Sequence, residues 1–148
     1  MSALEQVLEV LADQEAVARR AAGYVAGMTR AAVADHGRFS LAVSGGRTPW
    51  AMFAELAGEE VPWRSVEIFQ VDERVAPDGD PDRKLTHLRQ ALGSAPATVV
   101  PMGVNDADLE AAPASYARLL PERFDLVHLG LGPDGHTASL VPGTRCSS

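Results

Sequence analysis

The chain has 148 residues, 46% hydrophobic and 22% charged, a balance that suits one domain with a real core. Its net charge of −7 and pI near 5.0 argue against nucleic acid or an anionic membrane as partners, so an anionic ligand would need a local basic pocket. No apolar run is long enough for a membrane span, no signal-peptide pattern follows Met1, and the single cysteine, Cys146, excludes an intrachain disulfide and fits a reducing cytoplasm.

Leu4 to about Ala34 carries Leu4, Val7, Leu8 and Leu11 at helical spacing, and Val17, Ala21, Val25 and Met28 continue the stripe. This predicts a packing helix, with Gly23 and Gly27 as points of close approach or of a break. Phe39–Val43 (FSLAV) reads as a short buried strand, followed directly by Ser44-Gly45-Gly46-Arg47-Thr48-Pro49. Thr48 is a natural N-cap, Pro49 fits a first helical turn, and Trp50 to Ala57 has helical character. A glycine pair between a strand and a helix offers backbone N–H groups and a helix dipole to an anion. Arg47 adds a cation whose fork geometry suits phosphate. A plain turn with a cap is the competing reading, and the spacing is not that of a Walker loop.

Val66–Val71 is the next strand, running into Asp72-Glu73-Arg74, where a solvated ion pair competes with a pocket role. Pro77–Pro81 is a turn-rich acidic loop, after which Asp82 would cap a helix through Leu85, Leu88 and Leu92, ending at Gly93. His87 falls on its exposed face. Thr98–Pro101 reads as a short strand. Asp106 would cap a helix to Leu120 that carries Tyr116 and that Pro113 either joins or divides.

The apolar run Phe124–Leu131 is broken only by Asp125 and His128, which predicts a strand covered on both faces with His128 as a hydrogen-bonded core histidine. The Gly132-Pro-Asp-Gly135 turn then delivers His136 to the mouth of that strand, and Thr137–Leu140 would begin a short helix ended by Pro142-Gly143. Gly130-x-Gly132-x-x-Gly135 has the spacing of a dinucleotide fingerprint, but Pro142 interrupts the full helix that fingerprint needs. Four strands alternating with helices predict a single α/β domain over 1–148 with a mostly parallel sheet and right-handed crossovers. The polar motifs after Val43, Val71 and Leu131 would all open on one sheet edge, where such folds bind ligands. The four histidines show no metal-ligand spacing, so neither a metal nor a cofactor is expected.

GLGPDGHTASLVPG, residues 130–143, resembles the signature of the 6-phosphogluconolactonases, sugar-phosphate enzymes related to glucosamine-6-phosphate deaminase. SGGRTP and Asp72-Glu73-Arg74 fall in that family's order, and the resemblance covers nearly the whole chain to about Gly143. It implies a doubly wound α/β sheet with helices on both faces. It also implies hydrolysis of 6-phospho-D-glucono-1,5-lactone to 6-phosphogluconate, in the pentose phosphate pathway of the cytoplasm. His136 would be the general base, positioned by the Asp134-Gly135 turn. Ser44, Gly45, Gly46, Arg47, Thr48 and Arg74 would grip the substrate phosphate. Asp72 would form a polar pocket wall, or pair with a hydroxyl or with His136. Backbone N–H groups of the turn containing Gly132 and Gly135 would face the oxyanion.

The chain departs from the family at Lys84, where asparagine is usual. The deaminase siblings place a glutamate soon after the histidine; here Thr137-Ala-Ser-Leu-Val follows and holds no acid, which favours the lactonase. A rival from another class is a catalytically silent phosphosugar-binding module or an inactive fragment. The resemblance fades at Thr144, where family members continue, so a shortened sheet is expected to expose an edge strand and an apolar face, leaving the chain either truncated and marginal or covered by another chain or protomer.

Overall fold

FSLAV and VEIFQ become the two central strands, β1 (Phe39–Val43) and β2 (Val66–Gln70), of the computed structural model, which describes residues 4–145. They pair in parallel from Phe39 opposite Val66 to Val43 opposite Gln70. The shorter β3 (Thr98–Val100) adds to the far side of β2, and β4 (Leu126–His128) adds to the far side of β1, giving the order β3-β2-β1-β4 with every pairing parallel. Four helices join them: α1 (Gln14–His36), α2 (Arg47–Leu56), α3 (Lys84–Leu92) and α4 (Ala112–Leu119).

Alternation along the strands divides their side chains between two faces. Phe39, Leu41, Val43, Val66 and Ile68 turn toward a layer made by α1, α2 and α3, where Val25, Ala26, Met52, Phe53, Leu56 and Leu88 complete the main core. Phe69 lies on the opposite face and meets Phe124 edge-on. Phe39, Phe53 and Phe69 are each at most 1% exposed, and burying such a ring contributes about 1.5–3 kcal/mol. From β1 to β3 the chain steps one way across the sheet, then returns through α4 to β4 beyond β1. With right-handed connections this reversal puts α4 on the face opposite α2 and α3, so the sheet is doubly wound. The reversal also leaves a crevice at the carboxyl ends of β1 and β4, the place where open α/β sheets bind ligands.

Several local expectations give way to longer-range contacts. The first helix begins at Gln14, because Asp13 caps it by accepting from the Ala16 amide at 2.7 Å. Before it, Leu4, Val7 and Leu8 stand 94%, 78% and 88% exposed; helical spacing alone does not sustain a helix without tertiary burial. The helix runs unbroken through Gly23 and Gly27, and a Cβ at either would meet nothing. In α2 the cap is Gly46, at φ 125°, and Thr48 lies inside the first turn with Pro49. In α3 the cap position is Arg83, without a side-chain capping bond; Asp82 does not cap it. Asp108, not Asp106, accepts from the Glu110 and Ala111 amides, and α4 starts only at Ala112, with Pro113 in its first turn where a missing N–H costs nothing.

The largest departure is β4. It ends at His128, and as an edge strand it leaves Val127 and Leu129 half exposed and Leu131 82% exposed, so it is not covered on both faces. Thr137–Leu140 is not a helix: Thr137 and Leu140 exchange backbone hydrogen bonds of 3.1 and 2.9 Å around a two-residue turn. Cys146 lies outside the described residues.

Candidate functional site

The β1–α2 turn forms because the buried strand ends at Val43 and the next helix starts at Arg47. Gly46 supplies the left-handed φ that reverses the chain, and the first amides of α2, on Arg47 and Thr48, have no intrahelical carbonyl to bond. Ser44 is buried, its amide donating to the His128 carbonyl at 3.2 Å and its hydroxyl having no partner among the described residues. Arg47 and, from the β2 end, Arg74 are exposed at the rim and form no ion pair among the described residues. Open amides, a helix N-terminus and two uncommitted guanidinium groups make this wall attractive to an anion.

The opposite wall is the loop after β4. Gly135, at φ 86°, closes the turn, and the Gly132 amide donates to the His136 carbonyl at 2.8 Å. The His136 ring lies against Gly132 so closely that a Cβ there would come within 2.0 Å of Cε1. Asp134 accepts from the His136 amide at 3.1 Å and also contacts the ring Nδ1. The His136 ring beside it holds the Asp134 carboxyl below the usual aspartate value. With Nδ1–H donated to Asp134, Nε2 carries the lone pair, the tautomer a general base needs.

Between the two walls stands the end of β2. The Glu73 side chain is inaccessible and pairs at 3.0 Å with that of Arg83, itself only 4% exposed. Its carboxylate accepts from the Lys84 and Leu85 amides at 2.7 and 2.9 Å, capping α3 from another part of the chain, and from Gln70 Nε2 at 2.7 Å. Burial pushes the Glu73 carboxyl up, but these bonds and that of the Arg74 amide outweigh it and hold the group below its ordinary value. Asp72 pairs with Lys84 Nζ and accepts from the Ser139 hydroxyl at 3.1 Å; among the described residues it makes no hydrogen bond to His136.

These groups border one open cleft of about 630 Å³ at the crevice between β1 and β4. Ser44, Gly45, Gly46, Arg47 and Thr48 form one side of it, Asp72 and Arg74 the end, and Gly132 and His136 the other side. Asp134 and Gly135 lie behind His136 and do not border the cleft. Among the wall residues that were not singled out in the sequence as site residues, Lys84 and His128 carry ionisable side chains. Among the described residues the His128 Nδ1 is buried without a hydrogen-bond partner, against the expectation of a bonded core histidine, and burial pushes its pKa down. Lys84 could have been suspected only as a departure from a family pattern, because the contact that brings it here spans 11 residues. A second hollow, of about 400 Å³ beside α4, is lined chiefly by apolar groups such as Val75, Val104 and Leu109. Among the described residues no cluster of three acidic, histidine or cysteine side chains is placed to hold a metal ion, and no helix is long and apolar enough to cross a membrane.

A sequence model of the family of glucosamine-6-phosphate isomerases/6-phosphogluconolactonase matches residues 12–147. The chain is 36% identical, over 158 aligned positions, to a 6-phosphogluconolactonase of Streptomyces coelicolor, a match covering 91% of this chain and 60% of that protein. It is 39% identical over 137 positions to one of Mesorhizobium japonicum, covering 88% of this chain and 57% of that protein. The crystal structure of a 6-phosphogluconolactonase from Shewanella baltica matches with a TM-score of 0.83 at 30% identity, over 92% of this chain and 61% of that one. The chain thus spans about 60% of the length of the curated relatives it matches.

Proposed function

The chain belongs to the family of glucosamine-6-phosphate isomerases and 6-phosphogluconolactonases, and from that premise we propose that its cleft hydrolyses 6-phospho-D-glucono-1,5-lactone to 6-phosphogluconate. The observation that carries the reading is the meeting, in one cleft, of an anion-attracting turn and a histidine whose second nitrogen is fixed by a carboxylate. The substrate phosphate sits against Ser44, Gly45, Gly46, Arg47 and Thr48, with Arg74 reaching it from the β2 end. Binding at that remote group holds the lactone carbonyl near His136. Nε2 of His136 takes a proton from water as its oxygen bonds to the carbonyl carbon. The Gly132 and Gly135 amides are already given to the His136 and Gly132 carbonyls, so they hold the turn that carries His136 and, contrary to the sequence expectation, are not free to face the resulting oxyanion. The bond from that carbon to the ring oxygen then breaks, the ring oxygen takes the proton from His136, and the acid product ionises. Asp134 keeps the imidazole in the required tautomer and stabilises its charged form; Asp72 walls the cleft.

The reading requires no cofactor, takes a small sugar phosphate as its partner, and fits a cytoplasmic enzyme. It favours the lactonase over the deaminase branch because no acid follows His136 in Thr137-Ala-Ser-Leu-Val. We further propose that the exposed rim at β4, where Leu129 and Leu131 are open to solvent, is covered by self-association; a strictly monomeric chain at every concentration in sedimentation would contradict this.

The test is lactone hydrolysis measured above the spontaneous background, beside His136→Ala. The chain is expected to exceed background, and the variant to lose about a hundredfold to ten-thousandfold, the usual contribution of a positioned general base. A chain no faster than background would overturn the hydrolytic reading and leave a phosphosugar-binding module.

A further inference from the structure

Residues 130–145 bond mostly among themselves: Thr137 Oγ1 to the Gly130 carbonyl, Gly132 to His136, Thr137 to Leu140. Among the described residues, one hydrogen bond ties this stretch to another part of the chain, from the Ser139 hydroxyl to Asp72 at 3.1 Å. The neighbouring Ala138 is held at φ 50°, a left-handed conformation that alanine adopts only under constraint. The other oxygen of Asp72 is taken by Lys84, in a pair whose side chains are only 12% and 20% exposed. Lys84 is itself fixed at both ends. Its amide is bonded to the buried Glu73, and its stem lies over Gly45 so closely that a Cβ there would come within 2.6 Å of Cδ.

We infer that Lys84 is a positioning residue that, through Asp72 and Ser139, pins the His136 loop to the end of β2. The ammonium group orients the Asp72 carboxylate so that one oxygen faces Ser139. Without it a largely buried carboxylate stands unpaired, turns toward water and releases the hydroxyl. The same side chain packs on the anion-attracting turn, so a single lysine sets the spacing between the two walls of the cleft. This deepens the hydrolytic reading and rests on it for the role of His136, but its test needs no turnover.

The experiment is amide hydrogen exchange on the ligand-free chain, wild type against Lys84→Met, Lys84→Arg, Ser139→Ala and the Lys84→Met/Ser139→Ala double variant. Lys84→Met is expected to speed exchange at Thr137 and Leu140 roughly tenfold, as befits one lost bond to a charged group, while α2 amides stay unchanged. Lys84→Arg should retain protection. Ser139→Ala should match Lys84→Met, and the double variant should exceed neither, because both act along one line of contacts. Unchanged exchange in Lys84→Met, or effects that multiply in the double variant, would overturn the proposal. So would weaker binding of inorganic phosphate in Lys84→Met with the loop still protected, which would make Lys84 a direct anion ligand. Should Lys84→Met fail to fold, Ser139→Ala and Lys84→Arg decide the matter alone. An inactive wild type with a Lys84-dependent loop would sink the hydrolytic reading and leave this one standing.

Discussion

The two walls of the cleft are built by different means. The β1–α2 turn grows out of the main core: its strand is flanked on both sides, and Met52, Phe53 and Leu56 bury the helix that follows. The His136 loop grows out of an edge strand three residues long, and polar contacts from Asp134, Thr137 and Ser139 hold it. Apolar burial is robust and unspecific, so the anion side is placed by the fold. The His136 side is placed by a few directional bonds, each of which a single substitution removes.

The largest effect is expected at the joint between the walls. Glu73→Gln removes the inaccessible carboxylate from Arg83, whose buried guanidinium then keeps only the exposed Asp78 as charge partner, and is expected to cost about 3 kcal/mol in urea unfolding. Because the folded Glu73 carboxyl titrates below its ordinary value of 4.5, its contribution is fully present above that pH and is lost as pH falls through the folded value. The unfolding free energy of the wild type should therefore fall faster with acid than that of Glu73→Gln; parallel curves would contradict the role given to Glu73.

Gly132→Ala strikes the His136 side alone. Its Cβ would collide with the His136 ring, and displacing that ring by about an ångström is expected to lower lactone hydrolysis roughly a hundredfold with little change in thermal midpoint. Tyr116→Phe affects only the α4 face: losing the 2.8 Å bond to the Gln70 carbonyl should cost about 1 kcal/mol and leave hydrolysis unchanged. That tyrosine, pushed up to about 12 by burial, should show no phenolate absorbance at pH 10 in the folded chain. The smallest effect is at Asp134. Its carboxyl carbon followed by NMR should titrate below 3.8 and move back toward that value in His136→Ala, since the imidazole contact is what lowers it.

The difference between the walls also explains what the sequence made legible. FSLAV, VEIFQ and SGGRTP act through neighbours in the chain: a buried strand, a sharp turn and a helix start are local events, and they stand in the structure within a residue or two. The parallel, doubly wound order follows from strand–helix alternation and handedness, which are global but simple rules. What escaped were features decided by distant partners. Nothing near Lys84 announces that Glu73, 11 residues earlier, caps its helix, nor that Arg83 is buried to complete the pair. The stripe at Leu4–Leu11 has helical spacing, yet Leu4, Val7 and Leu8 stand open to solvent. Phe124–Leu131 has the composition of a central strand, yet its coverage depends on which elements lie beyond β4, and composition carries no record of that. The GPDGH turn was legible as a device for placing His136, whereas Thr137–Leu140 was not, because its reversal, closed by backbone bonds between those two residues, is tied through Ser139 to the distant Asp72.

The central claim is that one ligand engages both walls at once. It is tested most directly by titrating the isotope-labelled chain with 6-phosphogluconate and following its amides by NMR. Amides of Gly45, Gly46, Gly132 and His136 are expected to shift together along one binding curve, with those of α4 unmoved. Shifts confined to the β1–α2 turn, or two curves with separate affinities, would contradict it.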